Sequence, residues 1–295
     1  PAPSAAQCLD RSGASRVLPH GISCLVLGVV SDVRGTVSGT GRIDWDANEV
    51  TSGGSFTTDN LDLAAAFGPV HGARGTVEFT DLLSLTTAPD QRLTIASVNP
   101  GIEVFDGVVS FQLVDAEVLR VEGARWPFMG GTLTMRPLDI RFGVEEVRAY
   151  VMEIEGLEAA QFVEEMEFGN LAASGTFDGV VPIIFDEMGN GRLEGGLLTS
   201  RPPGGHVAYV GDLTYEDMSF FANYAFSALR DLRYDRTEIE MNGPLTGELV
   251  TQVRFEGIGQ GETAQSNIVT RAIARLPIEL RINIRAPFYK LMTSI

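Results

Sequence analysis

Histidine, cysteine and tryptophan are scarce in this chain: three, two and two among 295 residues. His20, His71 and His206 stand far apart, each beside Gly or Pro, so a catalytic triad or metal site would need assembly from distant loops without any motif. No Gly-x-Ser-x-Gly, P-loop or His-Glu-x-x-His occurs. Cys8 and Cys24 are close enough in sequence to close a small loop in an oxidising compartment, and equally can stand as two separate thiols. No second pair of ligands lies near them for zinc. Basic residues are few as well. Lys and Arg total 22 against 39 Asp and Glu, a formal net charge of -17, which repels nucleic acid and disfavours docking on anionic headgroups through a general basic surface. Long apolar runs are missing: the best, over residues 21–30, is about half the roughly 20 residues that a spanning helix needs.

What the chain does hold is hydrophobic substance broken into short pieces. Hydrophobic residues make up 44%, ample for a core in one large all-β domain or two ordinary ones, and 33 glycines announce many tight turns. The opening Pro-Ala-Pro-Ser-Ala-Ala without Met is what an excised or processed piece would show, and residues 1–24 read as a linker or lead-in. From Leu25 onward, apolar and polar residues alternate and the runs break at Gly, Asn or Asp, as in strands with one wet face. The apolar phase runs through Val109, Phe111 and Leu113, then Leu119 and Val121, then Leu133 and Met135. Across Pro137 it slips, and Leu138, Ile140 and Phe142 carry it on, so a bulge or kink is expected there. Near the C-terminus Leu249, Thr251, Val253 and Phe255 alternate with Val250, Gln252 and Arg254, and Leu280, Ile282 and Ile284 alternate strictly with Arg281, Asn283 and Arg285.

Two helices are expected. Residues 156–167 place Leu157, Ala160, Val163 and Met166 at near-helical spacing among glutamates, and residues 215–232 carry apolar side chains around more than half the circumference. The second reads as buried core, with a plug or lid as the functional alternative. After Pro287 the tail, Phe288-Tyr289-Lys290-Leu291-Met292, reads as short and amphipathic, and the section from Arg271 to Lys290 is basic. Carboxylate pairs such as Asp44 with Asp46, or Asp186 with Glu187, have a spacing at which glycosidases work, but in so acidic a chain turn residues and solvated faces explain them better.

Residues 175–209 are the most telling stretch. Val180, Val181, Ile183 and Ile184 are β-branched, Gly189-Asn190-Gly191 supplies a tight reversal, and Leu193, Leu197 and Leu198 restart the apolar run. The order of its parts, Gly175-Thr176-Phe177-Asp178-Gly179, a Pro-hydrophobic strand, a Gly turn, a Gly-x-Leu strand and Pro203-Gly204-Gly205 before Tyr209, resembles the C-terminal domain of the YdbH family, AsmA-like periplasmic proteins related to TamB and YhdP. The resemblance resumes at residues 276–284. It implies phospholipid carriage between the inner and outer membranes with no catalysis and no cofactor, in a periplasmic protein anchored in the inner membrane.

The expected fold is therefore mainly β: an elongated, curled antiparallel β-sheet forming a hydrophobic groove, β-taco-like, with a few short helices. A sandwich and a β-helix fit the alternation too. The expected domains are a lead-in over 1–24, a groove over 25–211, and a hydrophobic helix, strands and tail over 212–295. Lining of the groove is expected from Val109, Phe111, Leu113, Leu119, Val121, Leu133, Met135, Ile140, Phe142, Ile183, Leu193, Leu197, Val253, Phe255, Leu280, Ile282 and Ile284, which would face acyl chains. The strand edge bearing Arg281, Asn283 and Arg285 is expected to take an outer-membrane component as partner. The alternatives are a carbohydrate-active enzyme on a solenoid or sandwich using paired carboxylates, and a structural repeat with a dry interior.

Overall fold

The structure, a computed structural model, describes residues 7–9, 15–17, 30–65, 68–99, 103–144, 146–165, 171–187, 190–209, 232–260 and 280–287. In chain order the elements are β1 (Gln7–Leu9), β2 (Ser15–Val17), β3 (Val30–Trp45), β4 (Val50–Ala65), β5 (Gly68–Asp81), β6 (Thr86–Thr87), β7 (Gln91–Val98), β8 (Val104–Val114), β9 (Val118–Phe128), β10 (Gly131–Met135), β11 (Leu138–Arg141) and β12 (Arg148–Glu158). There follow α1 (Ala159–Glu165), β13 (Leu171–Ser174), β14 (Thr176–Phe185), β15 (Gly191–Ser200), β16 (Gly205–Tyr209), β17 (Leu232–Tyr234), β18 (Arg236–Pro244), β19 (Glu248–Glu256), β20 (Gly259–Gln260) and β21 (Leu280–Pro287). The protein is mainly β, and its main sheet is antiparallel and not closed into a barrel.

Two compact units are formed, residues 1–124 with 137–146, and residues 125–136 with 147–295; β9 crosses from the first into the second. In the first unit β3, β4, β5, β7, β8 and β9 are successive neighbours, with β6 beside β5 and β11 beside β9. Within the stretch read as a lead-in, β1 and β2 pair with each other. In the second unit the order is β10, β12, β14, β15, β18, β19, β21, and a separate small sheet runs β13, β16, β17, β20. Among these pairs β14–β15 and β18–β19 join chain neighbours, whereas β12–β14, β15–β18 and β19–β21 each pass over strands that belong to the small sheet.

Local chemistry explains most of the turns. Asp46 accepts the N–H groups of Asn48 and Glu49, closing the β3–β4 reversal. Asp186 takes both the backbone and the side-chain N–H of Asn190 between β14 and β15. The phase slip falls where it was expected, with β10 ending at Met135 and β11 starting at Leu138 around Pro137. One expectation fails. The helix placed over residues 156–167 is seven residues long, Ala159–Glu165, and Leu157 belongs to β12. Gly156, at φ 74°, makes a bulge that only a residue tolerant of the left-handed region fits, and it turns Leu157 into the sheet opposite Phe177. The tertiary pairing overrides the helical spacing. The helix expected over 215–231, the tail over 288–295, and Cys24 lie outside the described residues, while Leu232 begins β17.

Candidate functional site: the apolar sheet faces

Register fixes which side chains share a face. In the second unit, Leu133 lies opposite Ile154, Ile154 opposite Gly179, Gly179 opposite Leu198, Leu198 opposite Ile239, and Ile239 opposite Val253. A neighbouring row runs through Met135, Met152 and Val181, and through Gly196, Met241 and Thr251. A third joins Tyr150, Ile183 and Leu193, and a fourth joins Ser200, Phe177, Thr237 and Phe255 through the bonded neighbours of β14, β15, β18 and β19. These rows make one nearly unbroken apolar face across β10, β12, β14, β15, β18 and β19. Its densest part packs Leu193, Leu245 and Leu249 with the half-buried Val181, Ile183, Phe185 and Met241, and Tyr150 meets Phe185 edge to face at 5.4 Å.

The opposite face bears the charges, set among half-buried Val151, Val180, Ile184 and Val250. It carries Glu153 bonded to Arg136 at 2.7 Å, Asp178 to Arg201 at 2.6 Å, Arg192 to Glu194 at 2.8 Å, and Glu238 between Arg236 and Arg254 at 2.7 and 3.4 Å. The Arg201 fork, together with the Gly156 N–H, holds the Asp178 carboxyl below the usual carboxylate range. Segregating charge to one side is what an amphipathic sheet does when its other face must stay free of uncompensated charge.

Sequence reading places its candidates unevenly on these faces. Leu133, Met135, Ile183, Leu193, Val253 and Phe255 fall on the apolar face; in β21 Leu280, Ile282 and Ile284 stand opposite Phe255, Val253 and Thr251, and so occupy register positions in the same rows. Arg281, Asn283 and Arg285 stand opposite Arg254, Gln252 and Val250, in the rows of the other face. Leu197 does not belong with the lining. It lies opposite Val180 and Glu240 on the polar face, 39% exposed. The reason is one residue: Gly195, at φ 71°, is an extra residue relative to both neighbouring strands, so Leu193, Gly196 and Leu198 share a face and Leu197 turns outward.

The first unit has an apolar face of its own. Phe56 lies opposite Val77, and Phe79 packs on Phe56 with ring centres 5.7 Å apart. Leu93 lies opposite Val109, Gln91 opposite Phe111 and Ile95 opposite Gly107, while Arg92, Thr94 and Ser110 alternate onto the other side. Leu113 continues the phase of Phe111 and Val109. Val121 and Leu119 pair with Leu138 and Ile140, and the Phe142 N–H returns to the Glu117 carbonyl. Toward the β3–β4 tip this side carries exposed Ile43, Val50 and Trp45.

Residues the sequence reading passed over are as prominent as those it named. Tyr150, Met152 and Ile154 alternate as cleanly as any stretch, and the signal was masked by the glutamates between and after them. Chemistry beyond binding is sparse among the described residues. Asp44 is paired with Arg42 at 2.6 Å, Asp46 and Asp186 serve turns, and no group of three or more His, Cys, Asp and Glu is arranged to hold a metal. His71 lies 3.6 Å from Asp62, and His206 Nδ1 lies 2.6 Å from Ser174 Oγ as an ordinary cross-strand pair of β13 and β16.

A family model described as YdbH-like, intermembrane phospholipid transport protein YdbH, matches residues 15–295. The chain belongs to the YdbH-like family. No curated protein and no solved structure matches it. For a YdbH-like chain the amphipathic faces are the pertinent geometry, since a carrier of phospholipid needs apolar surface for acyl chains beside polar surface for water. No helix among the described residues is long and apolar enough to cross a membrane.

Proposed function

We propose that this chain is a periplasmic lipid-binding and transfer module that carries phospholipid between inner and outer membranes, its apolar sheet faces shielding acyl chains, without catalysis. The observation that carries this reading is that every charge of β12, β14, β15, β18 and β19 except Arg148 keeps to one face, opposite apolar rows in which Val181, Ile183, Phe185 and Met241 are left half-buried rather than sealed. Half-buried aliphatic rows suit a guest of variable length. The lining named from the sequence, Leu197 excepted, is proposed for this role, with Met152, Ile154 and Val181 added from the register. Within the envelope the full-length protein is proposed to be anchored in the inner membrane, and an outer-membrane component to pair with β21.

Ile183→Asp and Leu197→Asp test the reading as a pair. The first puts a carboxylate among the acyl chains, where desolvation is costly; the second puts one among existing charges. Transfer of fluorescent phospholipid between vesicles is expected to fall at least about tenfold for Ile183→Asp, a loss of roughly 1.4 kcal/mol or more in effective binding, and to stay near wild type for Leu197→Asp, with circular dichroism confirming both folds. Equal transfer by the two variants would sink the proposal.

A further inference from the structure

Trp126 carries the apolar face of the second unit onto β9. Arg125 donates to Thr132 Oγ1 at 3.3 Å, and Thr132 stands opposite Glu155, so all three belong to the charged face. Their strand neighbours Trp126, Leu133 and Ile154 therefore turn to the other side, where Leu133 lies opposite Ile154. All three are buried, Trp126 to 6% exposure. Its indole Nε1 is shut off from solvent and has no hydrogen-bond partner among the described residues. A buried tryptophan ordinarily finds an acceptor for this N–H, because a donor stripped of water and left unpaired forfeits its hydrogen bond. Phe or Leu would line a purely hydrocarbon face without that loss. An acceptor brought by the guest gives the indole nitrogen its use.

We infer that Trp126 anchors the glyceride ester of a bound phospholipid: its indole N–H donates to an acyl ester carbonyl, and the chain beyond that carbonyl runs over Leu133 and Ile154. The inference rests on the lipid-transfer reading and adds to it the point at which the guest is held. An indole N–H donates and cannot accept, so the guest atom is an acceptor. A phosphate oxygen or a free carboxylate would bring an uncompensated charge among Leu133 and Ile154, where desolvation is costly. The ester carbonyl is neutral and joined directly to the hydrocarbon chain that the same face covers. The next row is Met135 opposite Met152, both half-buried. These unbranched side chains adapt more readily than the β-branched residues elsewhere on the face, and their shift lets the carbonyl reach the covered nitrogen.

The test compares two lipids that differ in the carbonyls alone. The full chain, as wild type and W126F, is incubated with vesicles holding equal amounts of dioleoylphosphatidylethanolamine and its diether analogue with oleyl chains, and the retained lipids are counted by mass spectrometry. Wild type is expected to retain the diester about fivefold over the diether, as for one neutral hydrogen bond, and W126F to retain the two equally. A wild-type ratio near one overturns the anchor and leaves the transfer reading intact. So does a W126F ratio equal to that of wild type, including the case where both lipids fall together, which makes Trp126 a packing residue. Should W126F fail to fold, W45F decides, since Trp126 is then the one tryptophan of the chain. Its fluorescence is expected to be quenched more by phosphatidylcholine brominated near the carboxyl end of an acyl chain than by the same lipid brominated near the methyl end; equal quenching, or the reverse order, overturns the anchor. Wild type retaining neither phosphatidylethanolamine brings down the transfer reading and the anchor together.

Discussion

Tyr234 shows what a single side chain can secure. It is 1% exposed, its ring lies 5.6 Å from that of Phe255, and its hydroxyl donates to the Ser174 carbonyl at 2.8 Å, tying β17 to β13. Burial pushes its pKa up to about 12, since a phenolate there would lose its hydration. The folded value lies above the ordinary value of 10.0, so the neutral form is favoured by folding; that contribution is complete below pH 10 and is lost as pH rises through about 12. Of six tyrosines, Tyr234 and Tyr150 should ionise late in an ultraviolet phenolate titration, and Tyr234→Phe should remove the component near 12. The same substitution leaves a carbonyl without its donor and should cost about 1 kcal/mol by urea unfolding. A late component that persists in Tyr234→Phe would refute the assignment. Nothing in the sequence marks Tyr234, because its partner sits 60 residues away; the turn carboxylates Asp46 and Asp186, whose partners are two to four residues away, were readable as turn residues at once.

At the scale of the strand, alternation was legible and its interruptions were not. β5 and β7 follow the expected period of two, with Val77, Phe79, Leu93 and Ile95 turned inward and Glu78, Thr80, Arg92 and Thr94 outward. In β15 the pattern of buried and exposed residues is regular on both sides of Gly195 and broken at it. A period count alone assigns Leu193 and Leu197 to one face; a bulge needs only one glycine and is invisible until two neighbouring strands show the same offset. The Gly195 N–H donates to Asn242 Oδ1 at 2.7 Å, which fixes the bulge from the next strand. A Cβ at this position would meet nothing within 4 Å, so Gly195→Ala isolates the backbone cost of φ 71°. It should lower stability by about 1 kcal/mol, with Gly195→Asn losing less because Asn tolerates the left-handed region. Equal stability of all three forms in urea titration would show that the bulge is not held in that conformation. The short α1 belongs to the same lesson, since its glutamate-rich helical spacing extends over residues that β14 claims for the sheet.

For the molecule as a whole, composition and alternation sufficed to read a mainly β chain, the motifs over residues 175–209 pointed to the family, and pairing order stayed hidden because β15 meets β18 across an excursion into another sheet. The open antiparallel sheet has a consequence at β21, which has β19 as its one described neighbour. Successive residues of a strand aim their N–H groups at opposite neighbours, so Ile282 and Asn283 differ: one bonds toward β19 and the other toward the side that has no neighbour among the described residues. Proline at either position removes a donor. One of Ile282→Pro and Asn283→Pro should therefore unlatch β21 from Gln252 and Val253 and lower the melting temperature, while the other leaves the sheet intact and blunts its outer side. If an outer-membrane component adds a strand there, as proposed, the thermally unchanged variant should lose that component when the protein is captured from a Gram-negative envelope extract, because strand addition depends on backbone donors. A partner retained equally by wild type and by the thermally unchanged variant would place the contact elsewhere, and failure of the wild type to capture any outer-membrane component would remove the docking proposal altogether.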